Sequence, residues 1–230
     1  MGNLLTAPTA QAKMGKSAKS GVYLPYILHL APADLSGHNT CPLATLGCKK
    51  SCLNTSGMGV FSNVQTARIA KTKYFFDNRQ AFYADLIKEI ARAERKAIKE
   101  GKQLTVRLNG TSDLQWEIYR AFDGKTIFEI FPNVVFYDYT KIANRKVSHI
   151  PNYSLTFSAA DGNDADVNTA IANGLNVAVV FRNALPDTWN GRTVIDGDTD
   201  DLRFLDPANV IVGLVAKGKA KKDTTGFVKD

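Results

Sequence analysis

Gln103-Leu104-Thr105-Val106-Arg107-Leu108-Asn109-Gly110-Thr111-Ser112-Asp113 is an apolar, β-favouring run that ends in small polar residues. That is the pattern of a strand delivering the chain into a loop. The same rhythm continues downstream. Leu114 to Phe122 reads as helical, Asn133 to Tyr137 as a strand, and Ile142 to Val147 as a short helix. Tyr153 to Phe157 is a strand, Asp164 to Asn173 a helix closed by Gly174, and Asn176 to Phe181 a strand; Val194-Ile195 and Val210 to Leu214 are further short strands. Strands alternating with helices imply a parallel sheet. The expected fold is α/β: an incomplete, TIM-like barrel of about six to seven mostly parallel strands with outer helices. The connection Asp196 to Asn209 is rich in aspartate and has little helical periodicity, which argues against a complete eightfold barrel.

Upstream, Gly21 to Leu30 is an apolar run whose proline suits an edge or irregular strand. Ser62 to Glu100 is helical with a break near Asp77-Asn78. Within it Phe82, Leu86, Ile90, Ala93 and Ala97 recur at three- and four-residue steps and mark one buried face, ended by Gly101.

A chain of 230 residues that is 44% hydrophobic can bury a substantial core. One domain is expected over 21–216, containing a cysteine loop at 38–59, preceded by a flexible N-terminal segment 1–20 and followed by a basic flexible tail 217–230. The net charge of +7 favours an anionic partner, and the tail lysines make nucleic acid a candidate. Neither a signal-peptide core nor a membrane-length apolar run is visible, so no membrane partner and a reducing, cytoplasmic setting are expected.

All three cysteines lie in the loop: Cys41, Cys48 and Cys52, with six and then three residues between them. One disulfide would strand the third thiol, whereas three thiolates can hold a soft metal centre with a coordination position left open. An iron–sulfur cluster is the leading reading, with Lys49 and Lys50 offsetting thiolate charge. A zinc site completed by His38 is the alternative, and three structural cysteines the third. A small-molecule ligand, water, His38 or a neighbouring carboxylate could take the open position. The other histidines, His29 and His149, lack a nucleophile partner, and no glycine-rich phosphate loop follows a strand, which argues against hydrolase and nucleotide-cradle chemistry.

In parallel sheets the loops at the carboxyl ends of the strands form the functional face. Here those ends carry the cysteine loop, Asn109 to Asp113, Asp138-Tyr139-Thr140-Lys141, Ser158 to Asp161, Arg182-Asn183, Asp196-Gly197-Asp198 and Lys217. Arg182 has the chemistry to clamp a carboxylate or phosphate.

With the three-cysteine loop, the helical stretch after it and the strand end Arg107 to Asp113, the chain resembles a family of small bacteriophage proteins called gene product eighty-eight. More distantly it looks like the radical S-adenosylmethionine superfamily, whose partial barrel carries a three-cysteine loop after its first strand. That resemblance implies a 4Fe-4S cluster on Cys41, Cys48 and Cys52 whose open iron receives S-adenosylmethionine. Asn109, Ser112, Ser158, Arg182 and Lys217 would contact the cofactor, and Asn109, Asp113, Tyr139 and Arg182 would serve a radical reaction. A non-enzymatic structural, redox or electron-transfer protein that binds nucleic acid or a host protein is the other functional expectation.

Overall fold

The computed structural model describes residues 2–10, 14–15 and 21–230. Its centre is a ten-stranded, mostly parallel sheet. Strand β1 (Leu5–Thr6) pairs antiparallel with β2 (Tyr23–Leu28), and β2 is followed across the sheet by β3 (Gln103–Arg107), β4 (Val135–Thr140), β5 (Tyr153–Ser158) and β6 (Val177–Phe181), all parallel. Beyond β6 the order is β9 (Ile211–Val215), β8 (Arg192–Asp196) and the short antiparallel edge β7 (Thr188–Trp189). The sheet is open, with β8 outside β9 instead of continuing the progression, and it has more strands than expected because two-residue strands at Leu5–Thr6, Thr188–Trp189 and Val228–Lys229 join it.

The helices include α1 (Leu46–Lys50), α2 (Ser62–Asp77), α3 (Arg79–Lys99), α4 (Ile127–Ile130) and α5 (Asp164–Ala172). Asn78 separates α2 from α3 and caps the latter, its side chain accepting from the Ala81 amide at 3.2 Å. The apolar face of α3 places Phe82, Leu86, Ile90, Ala93 and Ala97 in one core cluster with Leu104, Val106 and Leu108 from β3. Rings of Phe75, Phe82, Tyr83 and Trp116 pack together in that layer. A second cluster joins Val167 and Ala170 of α5 to Phe157, Val177, Val179 and Phe181.

Two expected helices are absent for local reasons. In 114–122 the Asn109 side chain takes the Leu114 amide, the Leu114 carbonyl and the Trp116 indole, holding the chain off the helical path and leaving one 3-10 turn, Trp116–Ile118. In 142–147 the Thr140 hydroxyl accepts from the Ile142 amide and Arg145 is drawn inward to Glu117, so the chain makes turns.

The two ends of the chain also differ from expectation. Of segment 1–20, residues 1, 11–13 and 16–20 lie outside the described residues. Leu4 and Leu5 nonetheless are buried, and their amides donate to the Glu89 carboxylate at 2.7 and 2.8 Å. The basic C-terminal segment is drawn into the sheet. Strand β10 (Val228–Lys229) pairs with Val180 and Phe181 of β6, past the point where β5 pairs with Val177 and Ala178. Val228 and Ala220 are buried there, so apolar contact and a sheet edge hold what charge alone marks as tail. No helix among the described residues is long and apolar enough to cross a membrane.

Candidate metal centre

The cysteine loop leaves β2, and the loops after β3 and β5 hold it. Thr40, fully buried, donates its hydroxyl to the Ala31 carbonyl at 2.6 Å, and its own carbonyl accepts from the Asp113 amide at 2.8 Å. Thr111, after β3, donates to the Leu30 carbonyl at 2.6 Å and presents its carbonyl 3.8 Å from Cys41 Sγ. The same sulfur accepts from the Ala33 amide at 3.4 Å.

Helix α1 carries Cys48 and begins at Thr45, whose hydroxyl accepts from the Cys48 amide at 3.1 Å. Asp161, after β5, accepts from the Thr45 hydroxyl and, at 3.0 Å, from the Gly47 amide. Gly47 permits that approach: a Cβ there would collide with the Thr225 hydroxyl and the Asp161 carboxylate. Cys52 ends the set, its sulfur accepting from the Asn54 amide at 3.5 Å.

All three cysteines are free and half-buried. Burial pushes the Cys52 thiol up to about 11, and the charges of Cys48 and Cys41 push the same way, so the three sulfurs share one electrostatic environment. Burial also raises Cys41, with Asp113 and Cys48 adding to it. Opposing this, Lys141 favours the Cys52 thiolate, while the Cys52 charge in turn favours protonated Arg68. Arg68, buried on α2 and bonded to Asn54 Oδ1, gave no signal in the sequence because its helix has no clear apolar face to set it against. Asp161, by contrast, was visible as a strand-end carboxylate, but only its contact with Gly47 reveals what it holds.

The other expected site residues are widely engaged. Asn109 and Ser112 bond each other at 2.9 Å and organise the turn after β3. Asp113 accepts from the Lys141 amide at 2.8 Å and faces Arg145 at 3.5 Å, and Arg145 forms a fork with Glu117 at 2.7 and 2.6 Å. Tyr139 lies beneath the Arg107 guanidinium, 4.9 Å from ring centre to carbon. Ser158 accepts from Lys141 Nζ at 3.2 Å, which brings β5 to the edge of the cysteine environment. Arg182 instead binds Asp230 and the Asp223 carbonyl, clamping the C-terminal segment, and Lys217 pairs with Asp198 at 2.6 Å. His38 stacks on Phe76 with centroids 4.3 Å apart and faces Asp77 at 3.8 Å, at the end of α2.

No three or more His, Cys, Asp or Glu side chains among the described residues surround a single ion position. The donors gathered in this loop are three soft thiols, with Arg68 and Lys141 nearby.

A family model described as gene product 88 matches residues 3–230. No curated protein and no solved structure matches the chain. The likeness to the radical S-adenosylmethionine superfamily finds no support in these comparisons.

Proposed function

The chain belongs to the gene product 88 family, and because that description names no chemistry we propose, from the site itself, that the protein is a three-cysteine iron–sulfur protein. Cys41, Cys48 and Cys52 would hold the cluster, which supplies a one-electron redox centre when bound. The observation that carries this reading is the shared environment of three half-buried thiols beside Arg68 and Lys141. A polynuclear cluster spreads its thiolates further apart than one ion does, and it needs positive charge nearby to offset the anionic assembly. His38, turned to Phe76 and Asp77, disfavours the zinc alternative.

The chain's own residues then have distinct tasks. Asp161 and Thr45 fix the start of α1 and so the position of Cys48. Thr40 and Thr111 fix the backbone around Cys41. Arg68 and Lys141 stabilise thiolate charge at Cys52. Such a centre would be of 4Fe-4S type and serve electron transfer or redox response: Asn109, Arg182 and Lys217, which would have held S-adenosylmethionine, are committed to internal bonds. The mostly parallel strand order from β2 to β6 is compatible with a partial-barrel ancestry for this arrangement.

Purification without oxygen, followed by iron and sulfide analysis, tests the reading. Brown protein with comparable iron and sulfide, bleached in each of Cys41→Ser, Cys48→Ser and Cys52→Ser, is expected. Colourless protein that takes up zinc and no sulfide after anaerobic reconstitution would overturn it.

A further inference from the structure

The face of the sheet opposite the α3 core is polar where a covered parallel sheet is normally apolar. Along β3, Leu104 and Val106 enter the core with α3, so Thr105 and Arg107 alternate to the other side. Tyr137 and Tyr139 of β4 lie on that side too, in register with Ser154 and Thr156 of β5. The aspartate-rich connection after β8 covers this surface. Phe204 meets the rings of Tyr23 and Tyr137 at 5.2 and 5.3 Å, and Asp201 accepts from Arg107 Nη1 at 2.8 Å.

Arg107 is incompletely used. Its Nη2 donates to the Asn109 carbonyl at 3.3 Å, while Nε is buried with no hydrogen-bond partner among the described residues. The hydroxyls of Thr105 and Tyr137, both residues fully buried, likewise have none. Leaving such groups unbonded is costly, which marks them as sites needing a reason beyond stability. Two hydroxyls and a guanidinium N–H left over on one sheet face share a preference: each donates to anionic oxygen, and a guanidinium can meet a carboxylate bidentately.

We propose that Arg107, Thr105 and Tyr137 form a binding site for a carboxylate-bearing small molecule, and that Asp201 occupies it in cis until such a ligand displaces it. Asp201 is a carboxylate delivered by a loop, so the chain already presents the ligand's chemistry. Displacement moves the 198–206 connection off the sheet and opens the Tyr139 ring beneath the guanidinium. The site is independent of whether the cysteines carry a cluster.

Acetate is the probe, applied to the full chain. In Asp201→Ala, acetate should raise the melting temperature saturably; acetamide, of the same shape without charge, should not. The acetate response should vanish in Asp201→Ala combined with Arg107→Gln. In the unmodified chain, acetate should accelerate amide hydrogen exchange across 198–206, and chloride at equal ionic strength should leave it unchanged. Should Asp201→Ala fail to fold, Asp201→Ser, whose short side chain also vacates the site, takes its place in the same titration. Failure of either arm, no saturable acetate response in the vacated site or an indifferent loop in the unmodified chain, overturns the proposal.

Discussion

Removing the Asp161 carboxylate should release the cysteine loop while leaving the sheet folded. Asp161 accepts from the Thr45 hydroxyl and the Gly47 amide, and the Cys48 amide adds to the same field. Hydrogen bonds to a charged group are worth about 1.5–3 kcal/mol each, but these share one carboxylate and do not add, so Asp161→Ala is expected to cost about 3 kcal/mol. In a domain of this size that lowers Tm by roughly 6–12 °C. The acid dependence gives a sharper test. Burial opposes ionisation of Asp161, yet the Thr45, Gly47 and Cys48 bonds outweigh it and hold the carboxyl below the usual range. A group with a depressed folded pKa contributes its stability fully above the unfolded value of about 3.9, and loses it as pH falls through the lower folded value. The unmodified chain should therefore lose stability in that acid window, and Asp161→Asn should lose less. Thermal unfolding between neutral and strongly acidic pH, with maleimide labelling of Cys48 as the local readout, measures both. Equal Tm and equal labelling rates in Asp161→Ala and the unmodified chain would refute the assignment of Asp161 as the clamp of α1.

Burial lifts the Asp138 carboxyl to about 7, against the opposing charge of Arg107; the folded state then keeps a proton the unfolded chain has lost, so stability should fall between about pH 4 and 7. Asp138→Asn should flatten that slope in urea-midpoint measurements, and an unchanged slope would sink the assignment. Arg145, fully buried in its side chain, holds Glu117 and Asp113; Arg145→Ala should cost about 3–5 kcal/mol by denaturant titration because it leaves buried carboxylates unpaired, and a loss under 1 kcal/mol would contradict that geometry. Leu86→Ala, at a position with no exposure on α3, should cost about 2–5 kcal/mol without changing the reactivity of the cysteines; altered thiol labelling there would mean the loop and the α3 core are not separable.

The polar network between strand ends gives the sheet two different faces. One is a hydrophobic layer under α2 and α3, and the other contains Arg107, Tyr137 and Asp201 at a loop-covered surface. Bonds from the loops after β2, β3 and β5 converge on the cysteine loop.

Residue order by itself determined the elements whose signal is local. The alternation in β3, the 3- and 4-residue steps in α3 and the break at Asn78 are each set by side-chain periodicity or a cap, and those elements stand where that periodicity places them. The three thiols were legible as a group because they lie in one short loop. Tertiary structure decided the rest, because the deciding contacts join distant positions. Asn109 bonds Leu114 and Trp116 more favourably than a helix would, and β10 finds the free edge of β6 only once the sheet exists. Asp161 reaches Gly47 across 114 positions, and Arg107 meets Asp201 across 94. Closing such loops has an entropic cost that only the assembled sheet offsets, so no window of sequence could disclose which carboxylate holds the cysteine helix or which one fills the guanidinium site.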